Sequence, residues 1–164
     1  NIPSASCNWL EVDLVEKLAS TGRVLGIKDS SGNLDYTRLL IKRVGGKISV
    51  MQGSELLLLP TLVFGGRGGV LGTANLVPKL FVNLYNSYIK GDMSSAVKLQ
   101  KLAYKVLDVI YRGSADTFFY NVKYALRKLG VDVGYPRKPY REPSKEEAKE
   151  IDNLLNWLKE EKLV

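Results

Sequence analysis

Short apolar runs alternate with longer amphipathic stretches along the first half of the chain, and the alternation then stops. Glu11 to Ala19 carries helical spacing and is broken by Thr21-Gly22. The run Val24-Leu25-Gly26-Ile27-Lys28 is short, apolar and closed by polar residues, which predicts a buried strand of a parallel sheet. Asp35 to Val44 is helical again, with Leu39, Leu40 and Val44 on one side, and Gly45-Gly46 ends it. Ile48 to Gly53 predicts a second strand. Leu56 to Phe64 is apolar nearly all round and predicts a buried helix, in which Pro60 imposes a kink or a late start. Gly65-Gly66-Arg67-Gly68 is a turn, and Gly69 to Thr73 predicts a third short strand that ends at Ala74-Asn75.

Beyond this point the periodicity is helical only. Pro78 to Lys90, Met93 to Tyr111 and Thr117 to Leu129 predict three successive helices. Gly134 to Pro139 contains two prolines and reads as an extended linker. Ser144 followed by Glu146 and Glu147 marks a helix start with acids in its first turn, and Ile151, Leu154, Leu155 and Leu158 form the apolar stripe of that last helix. Strands separated by helices imply right-handed crossovers and a parallel α/β sheet. Three strands do not close a barrel, so the pattern fits either a small open sheet or part of something larger.

Composition narrows the chemistry. With 164 residues, 45% of them hydrophobic, the chain can bury one core. No stretch reaches the roughly 20 apolar residues of a membrane span, and the start lacks the basic and apolar regions of a signal peptide. Cys7 is the single cysteine, compatible with a reducing cytosol, so a cytoplasmic location is expected. There is no histidine, which removes Ser-His and Cys-His dyads and the commonest zinc ligand. The net charge of +7 admits a nucleic-acid partner, but the basic residues are dispersed among acids. The expectation is a solvated, ion-paired surface with neither nucleic acid nor membrane as partner.

The residues that can carry chemistry centre on Gly26-Ile27-Lys28-Asp29-Ser30-Ser31-Gly32-Asn33. Lys28 ends an apolar strand, and in α/β folds ligands gather at that end. A lysine moved out of water there loses proton affinity, and the free amine can attack a ketone to form an imine. The alternatives at such a position are an ion pair with Asp29 or a side chain pointing to solvent.

Gly26-Ile27-Lys28-Asp29 resembles the Schiff-base motif of the dihydrodipicolinate synthase and N-acetylneuraminate lyase superfamily. The resemblance covers nearly the whole chain. Asn1-Ile2-Pro3 is similar to the tail of that family's Tyr-Asn-x-Pro motif on the fifth barrel strand. Gly53-Ser54-Glu55 stands where the family has a Gly-x-Asp/Glu turn, Gly68 to Pro78 resembles its strand-eight signature, and Gly134 to Pro139 fits the segment before its final helix. Five motifs in order and spacing favour the catalytic reading of Lys28 over its structural alternatives.

The resemblance implies the C-terminal half of a (β/α)8 barrel, strands six to eight, with a C-terminal helical appendage. Residues 1–113 would be the partial barrel and 114–164 the helical extension. Lys28 would form an imine with a 2-oxo acid such as pyruvate, with no metal or organic cofactor. Ser30 would offer a hydroxyl, with helix capping as the plain alternative. Gly53, Ser54 and Glu55 would hold the distal part of the substrate, and Val70, Thr73 and Asn75 would line the floor of the site. The family's tyrosine proton relay falls immediately before Asn1, and its carboxylate-binding loop belongs to an earlier strand, so a longer barrel is expected.

For the second substrate, dihydrodipicolinate synthases carry an arginine where Ala5 stands here. Pro3-Ser4-Ala5-Ser6 instead resembles the corresponding segment of archaeal 2-keto-3-deoxygluconate aldolases. That implies an uncharged aldehyde such as glyceraldehyde, with dihydrodipicolinate synthase or N-acetylneuraminate lyase activity as alternatives. A non-catalytic half-barrel acting in assembly is the alternative of another class. Arg112 is a candidate for a substrate phosphate. Relatives assemble as tetramers, so a homotetramer is expected, with Leu80, Phe81 and Leu84 or Phe118, Phe119 and Val122 as candidate contact faces.

Overall fold

The computed structural model describes residues 1–112 and 115–164, and the expected domain boundary between 113 and 114 lies outside the described residues. The chain divides into two units. One comprises Asn1–Gly72 with Leu84–Gln100, the other Thr73–Asn83 with Lys101–Val164.

The first unit holds a parallel sheet of three strands, β1 (Gly26–Asp29), β2 (Ser49–Gln52) and β3 (Gly68–Gly69), in the order β1-β2-β3. The register sets Lys28 beside Met51 and Asp29 beside Gln52, and then Gln52 beside Gly69. The first two strands fall where the apolar runs place them. The third is shorter than expected: only Gly68 and Gly69 pair, and Thr73–Asn75 forms a 3-10 turn instead of a strand end. Two consecutive glycines bring no side chains to a strand face and so do little to sustain a ladder.

Strand alternation gives the sheet two unlike faces. Ile27, Asp29, Val50 and Gln52 are buried, whereas Gly26 and Lys28 are exposed and Ser49 and Met51 half-buried. Helices α2 (Val12–Ala19) and α3 (Leu34–Val44) serve the buried face. Val12, Val15 and Ala19 from α2 and Leu40 and Val44 from α3 form one cluster with Ile27, Ile48 and Val50. Burying a side chain the size of Leu40 contributes roughly 1.5–3 kcal/mol. Leu39, expected on this face, is exposed, because Thr37, Leu40 and Val44 already complete the stripe. Arg43 of α3 ties back to Asp13 and Glu16 of α2.

A four-residue turn of helix, α1 (Pro3–Ser6), was not signalled by the sequence. The main-chain nitrogen of Asn1 donates to Lys28 O at 2.9 Å, and Ser30 N donates to Asn1 O at 2.8 Å. This pair of bonds straddling Asp29 is the parallel-ladder pattern, so Asn1 sits against β1 as a neighbouring strand would. Further along, Glu55–Leu57 is a 3-10 turn that leads into α4 (Leu58–Val63). Pro60 lies in the first turn of α4, where its missing N–H breaks no helical bond; this is the late start, not a kink.

Helices α5 (Pro78–Ile89), α6 (Met93–Ile110), α7 (Ala115–Lys128) and α8 (Lys145–Glu160) follow the expected segments within a residue or two. In the second unit, the α8 stripe Ile151, Leu154, Leu155 and Leu158 is buried, as its spacing predicts. A capping box starts α8: Glu147 N donates to Ser144 Oγ and Ser144 N to the Glu147 carboxylate. Leu80, Phe81, Leu84 and Val122 are core residues and do not form an open contact face; of the expected aromatics Phe119 is exposed, 47% of its surface. No helix among the described residues is long and apolar enough to cross a membrane.

Candidate active site

The site is built at the C-terminal edge of the sheet. Just past the strand ends the ladder continues for one residue: Gly53 N donates to Asp29 O at 2.7 Å, and Val70 N donates to Gln52 O at 2.8 Å. Ser30, Gly53 and Val70 therefore stand side by side on one rim, each on the residue that leaves its strand. Neighbouring strands lie about 4.8 Å apart, so the Ser30 and Val70 side chains and the Gly53 backbone between them stand within reach of one small molecule.

Lys28 projects from the open face of β1 and reaches this rim. A Cβ placed on Gly53 would lie 2.7 Å from Lys28 Cε and 2.9 Å from Ser30 Cβ, and it would overlap Ser30 Oγ. The glycine is required by this close approach. Its absent side chain is the space that the lysine stem and the serine hydroxyl occupy.

The lysine does not pair with the acid next to it. Asp29 points to the opposite face, where it is fully buried and accepts hydrogen bonds from Asn1 Nδ2 at 3.0 Å, Ser31 N at 3.1 Å, Ser31 Oγ at 3.0 Å and Thr37 Oγ1 at 2.7 Å. Its acceptor capacity is largely taken by these donors. Nor does Ser30 cap the helix that follows. Asn33 does so, its side chain accepting from Tyr36 N at 3.0 Å, while Gly32 turns the chain at φ +72°. Tyr36 closes the other side by donating its hydroxyl to Leu10 O and meeting Trp9 edge-on. Burial, with Asp29 and Glu11 nearby, pushes that phenol up to about 12.

One expectation is corrected. Lys28 is exposed, so the residues of this chain do not move its amine into a low-dielectric pocket. The reason is the sheet itself: Gly26 and Lys28 stand on the face whose β1 residues are exposed and β2 residues half-buried, whereas Ile27 stands on the buried face.

The remaining candidates are distributed as follows. Ser54 is half-buried on the turn, and Glu55 opens the 3-10 turn as a largely buried side chain. Val70 is exposed on the rim. Thr73, buried, and Asn75, exposed, lie in the 3-10 turn that belongs to the second unit. Arg112 is not a free cation: its guanidinium is engaged with Glu147 and Glu150. Among the described residues no group of three or more Cys, Asp or Glu side chains is placed to hold a metal ion.

Sequence reasoning missed the residues that hold the rim in place. Gln52 and Gln100 are both buried polar side chains; Gln100 reaches Glu55 and Leu59, far back along the chain, whereas Gln52 bonds Gly53, Ser54 and Thr61 without belonging to any motif. The available signal for Gln52 was a polar residue at a buried position of strand alternation.

A parallel α/β sheet with a lysine on its C-terminal rim defines the class, and comparison with known proteins supplies the family. The model of the dihydrodipicolinate synthetase family matches residues 1–158. The chain belongs to this family. It is 30% identical over 158 residues to 4-hydroxy-tetrahydrodipicolinate synthase of Archaeoglobus fulgidus, covering 96% of this chain and 54% of that protein. It is 36% identical to an uncharacterized DapA-like lyase of Thermoplasma acidophilum, covering 94% of this chain and 52% of the relative. Among solved structures, it matches a prophage protein of E. coli K12 of the dihydrodipicolinic acid synthase family, in complex with pyruvate. That match has a TM-score of 0.87 and 26% identity, and it covers 97% of this chain and 54% of the other. The chain spans about half the length of the curated relatives it matches.

Proposed function

We propose that this chain carries the Schiff-base lysine of a lyase that makes or breaks a carbon-carbon bond between pyruvate and an aldehyde. The observation that carries the reading is the rim at Lys28, where the lysine stem and the Ser30 hydroxyl share the space left by Gly53. The free amine of Lys28 adds to the keto carbon of the 2-oxo acid, and loss of water gives the imine. Protonated, the imine takes up the electron pair released by carbon-carbon cleavage, or returns it in condensation.

In this reading β1, β2 and β3 are the sixth, seventh and eighth strands of a (β/α)8 barrel, and Asn1 is the end of the fifth. The ladder bonds of Asn1 to β1 support that order. Closure of the barrel over the face that carries Gly26 and Lys28 would supply the desolvation that favours the free amine. A relative solved with pyruvate supports the choice of 2-oxo acid.

The names of relatives favour condensation with aspartate semialdehyde, as in 4-hydroxy-tetrahydrodipicolinate synthase. A second reading rests on Ala5: exposed in α1, it offers no cation to a second carboxylate, which favours glyceraldehyde and hence 2-keto-3-deoxygluconate. The absence of a cation at Ala5 is equally compatible with N-acetylneuraminate cleavage. The proposed assembly is a homotetramer, which sedimentation of the intact protein checks.

Borohydride reduction of the intact protein with pyruvate tests the central reading. A covalent adduct on the peptide containing Lys28 is expected; an adduct on another lysine, or none, overturns it. Turnover assays with aspartate semialdehyde plus pyruvate, 2-keto-3-deoxygluconate and N-acetylneuraminate then separate the substrate readings.

A further inference from the structure

Gln52 is fully buried at the end of β2, on the face where Val50 contributes an apolar side chain two residues earlier. A buried amide is tolerated only when its donors and acceptor are used. Here Nε2 donates to Thr61 Oγ1 at 2.8 Å, and Oε1 accepts from both Gly53 N and Ser54 N at 2.9 Å. Thr61 is itself fully buried within α4. One side chain thus runs from a helix behind the sheet to the two peptide groups that follow the strand. A second glutamine, Gln100, braces the next stretch in the same way: Nε2 donates to Glu55 O at 2.7 Å, and Oε1 accepts from Leu59 N at 3.0 Å.

An apolar side chain would fill the position of Gln52, as Val50 does two residues earlier. The amide adds direction. Its oxygen fixes two consecutive N–H groups, and the first belongs to Gly53, the residue against which Lys28 Cε and Ser30 Oγ lie. Gly53 N is also bonded to Asp29 O, so the peptide is held from the strand and from the helix together.

We propose that Gln52 is a positioning residue: anchored on Thr61, it holds Gly53 as the wall that aims the Lys28 amine at the keto carbon. This rests on the reading of Lys28 as the imine-forming lysine. Displacement of the wall redirects the amine without touching the reacting atoms, and rate falls steeply with such misplacement.

The experiment uses the intact protein and the rate at which borohydride traps pyruvate on Lys28, read by mass, at saturating pyruvate. Variants are Gln52→Met, Thr61→Val and Thr61→Ser, each checked for folding by circular dichroism. Gln52→Met and Thr61→Val, both folded, are expected to slow trapping by about tenfold or more, with Thr61→Ser within about twofold of the parent because it keeps the hydroxyl. Thr61→Val trapping at the parent rate, or Thr61→Val and Thr61→Ser slowed equally, overturns the role of Gln52. A parent protein that traps no pyruvate removes the lysine reading, and this inference with it; the two failures are therefore distinct.

Discussion

Gly53 lies against the stem of Lys28 so closely that a methyl group on it would come within 2.7 Å of Lys28 Cε. Ser30 Oγ and Lys28 Cε can swing aside, so only Ser30 Cβ, 2.9 Å away, asks a small shift of the backbone. Gly53→Ala is therefore expected to cost stability only at the low end of the roughly 1–3 kcal/mol typical of overpacking. Trapping of pyruvate on Lys28 should slow much more, by roughly ten- to a hundredfold. Urea unfolding and trapping kinetics on the same preparation check the split; equal losses would argue that Gly53 serves only the fold.

Asp29 anchors the start of α3 and the Asn1 segment from the buried side of β1. Asp29→Ala leaves the donors of Asn1, Ser31 and Thr37 without their acceptor. The expected loss is about 2–3 kcal/mol of unfolding free energy, the scale of hydrogen bonds to a charged group. Thr37→Val, which removes one donor, should cost less. Chemical denaturation of the three proteins gives the order.

Ser144 caps α8, and its removal exposes the amide of Glu147. Ser144→Ala is expected to cost about 1 kcal/mol. Ser144→Gly should cost only a few tenths of a kcal/mol relative to the parent, because glycine accepts the cap conformation. Denaturant midpoints distinguish the two.

Glu147 gives a pH signature. Hydrogen bonds from Arg141, then from the Ser144 amide, outweigh burial and hold its carboxyl down to about 2 from an ordinary 4.5. A lowered folded-state value stabilises the ionised form, so the contribution is fully present above about pH 4.5 and is lost as pH falls toward about 2. Glu147→Gln should lower Tm at neutral pH and make Tm fall less steeply across that acid window. Parallel Tm-against-pH curves across that window would show that Glu147 contributes no linkage.

The sequence makes the helices and the first two strands readable because each carries its own period. The spacing of Ile151, Leu154, Leu155 and Leu158 places the buried stripe of α8, and Pro60 marks the start of α4. The third strand misleads because Gly68-Gly69 pairs with β2 through backbone alone, a property no side-chain pattern reports. The rim at Lys28, Ser30 and Gly53 is legible through local motifs at strand ends. The two glutamines behind it are not, since Gln100 reaches a carbonyl 45 residues away. Arg112 misleads for a related reason: its acidic partners lie on α8, out of sight of its own segment.

Lys28 and Asp29, adjacent in β1 and facing opposite ways, guard the strand against misalignment. Sliding β1 by a single position would drive an ammonium group in among Leu40 and Val44 and would strand the carboxylate's three donor residues. Both penalties fall on the same wrong pairing. The dipeptide that bears the amine proposed to form the imine therefore also proofreads the alignment that delivers it to the rim.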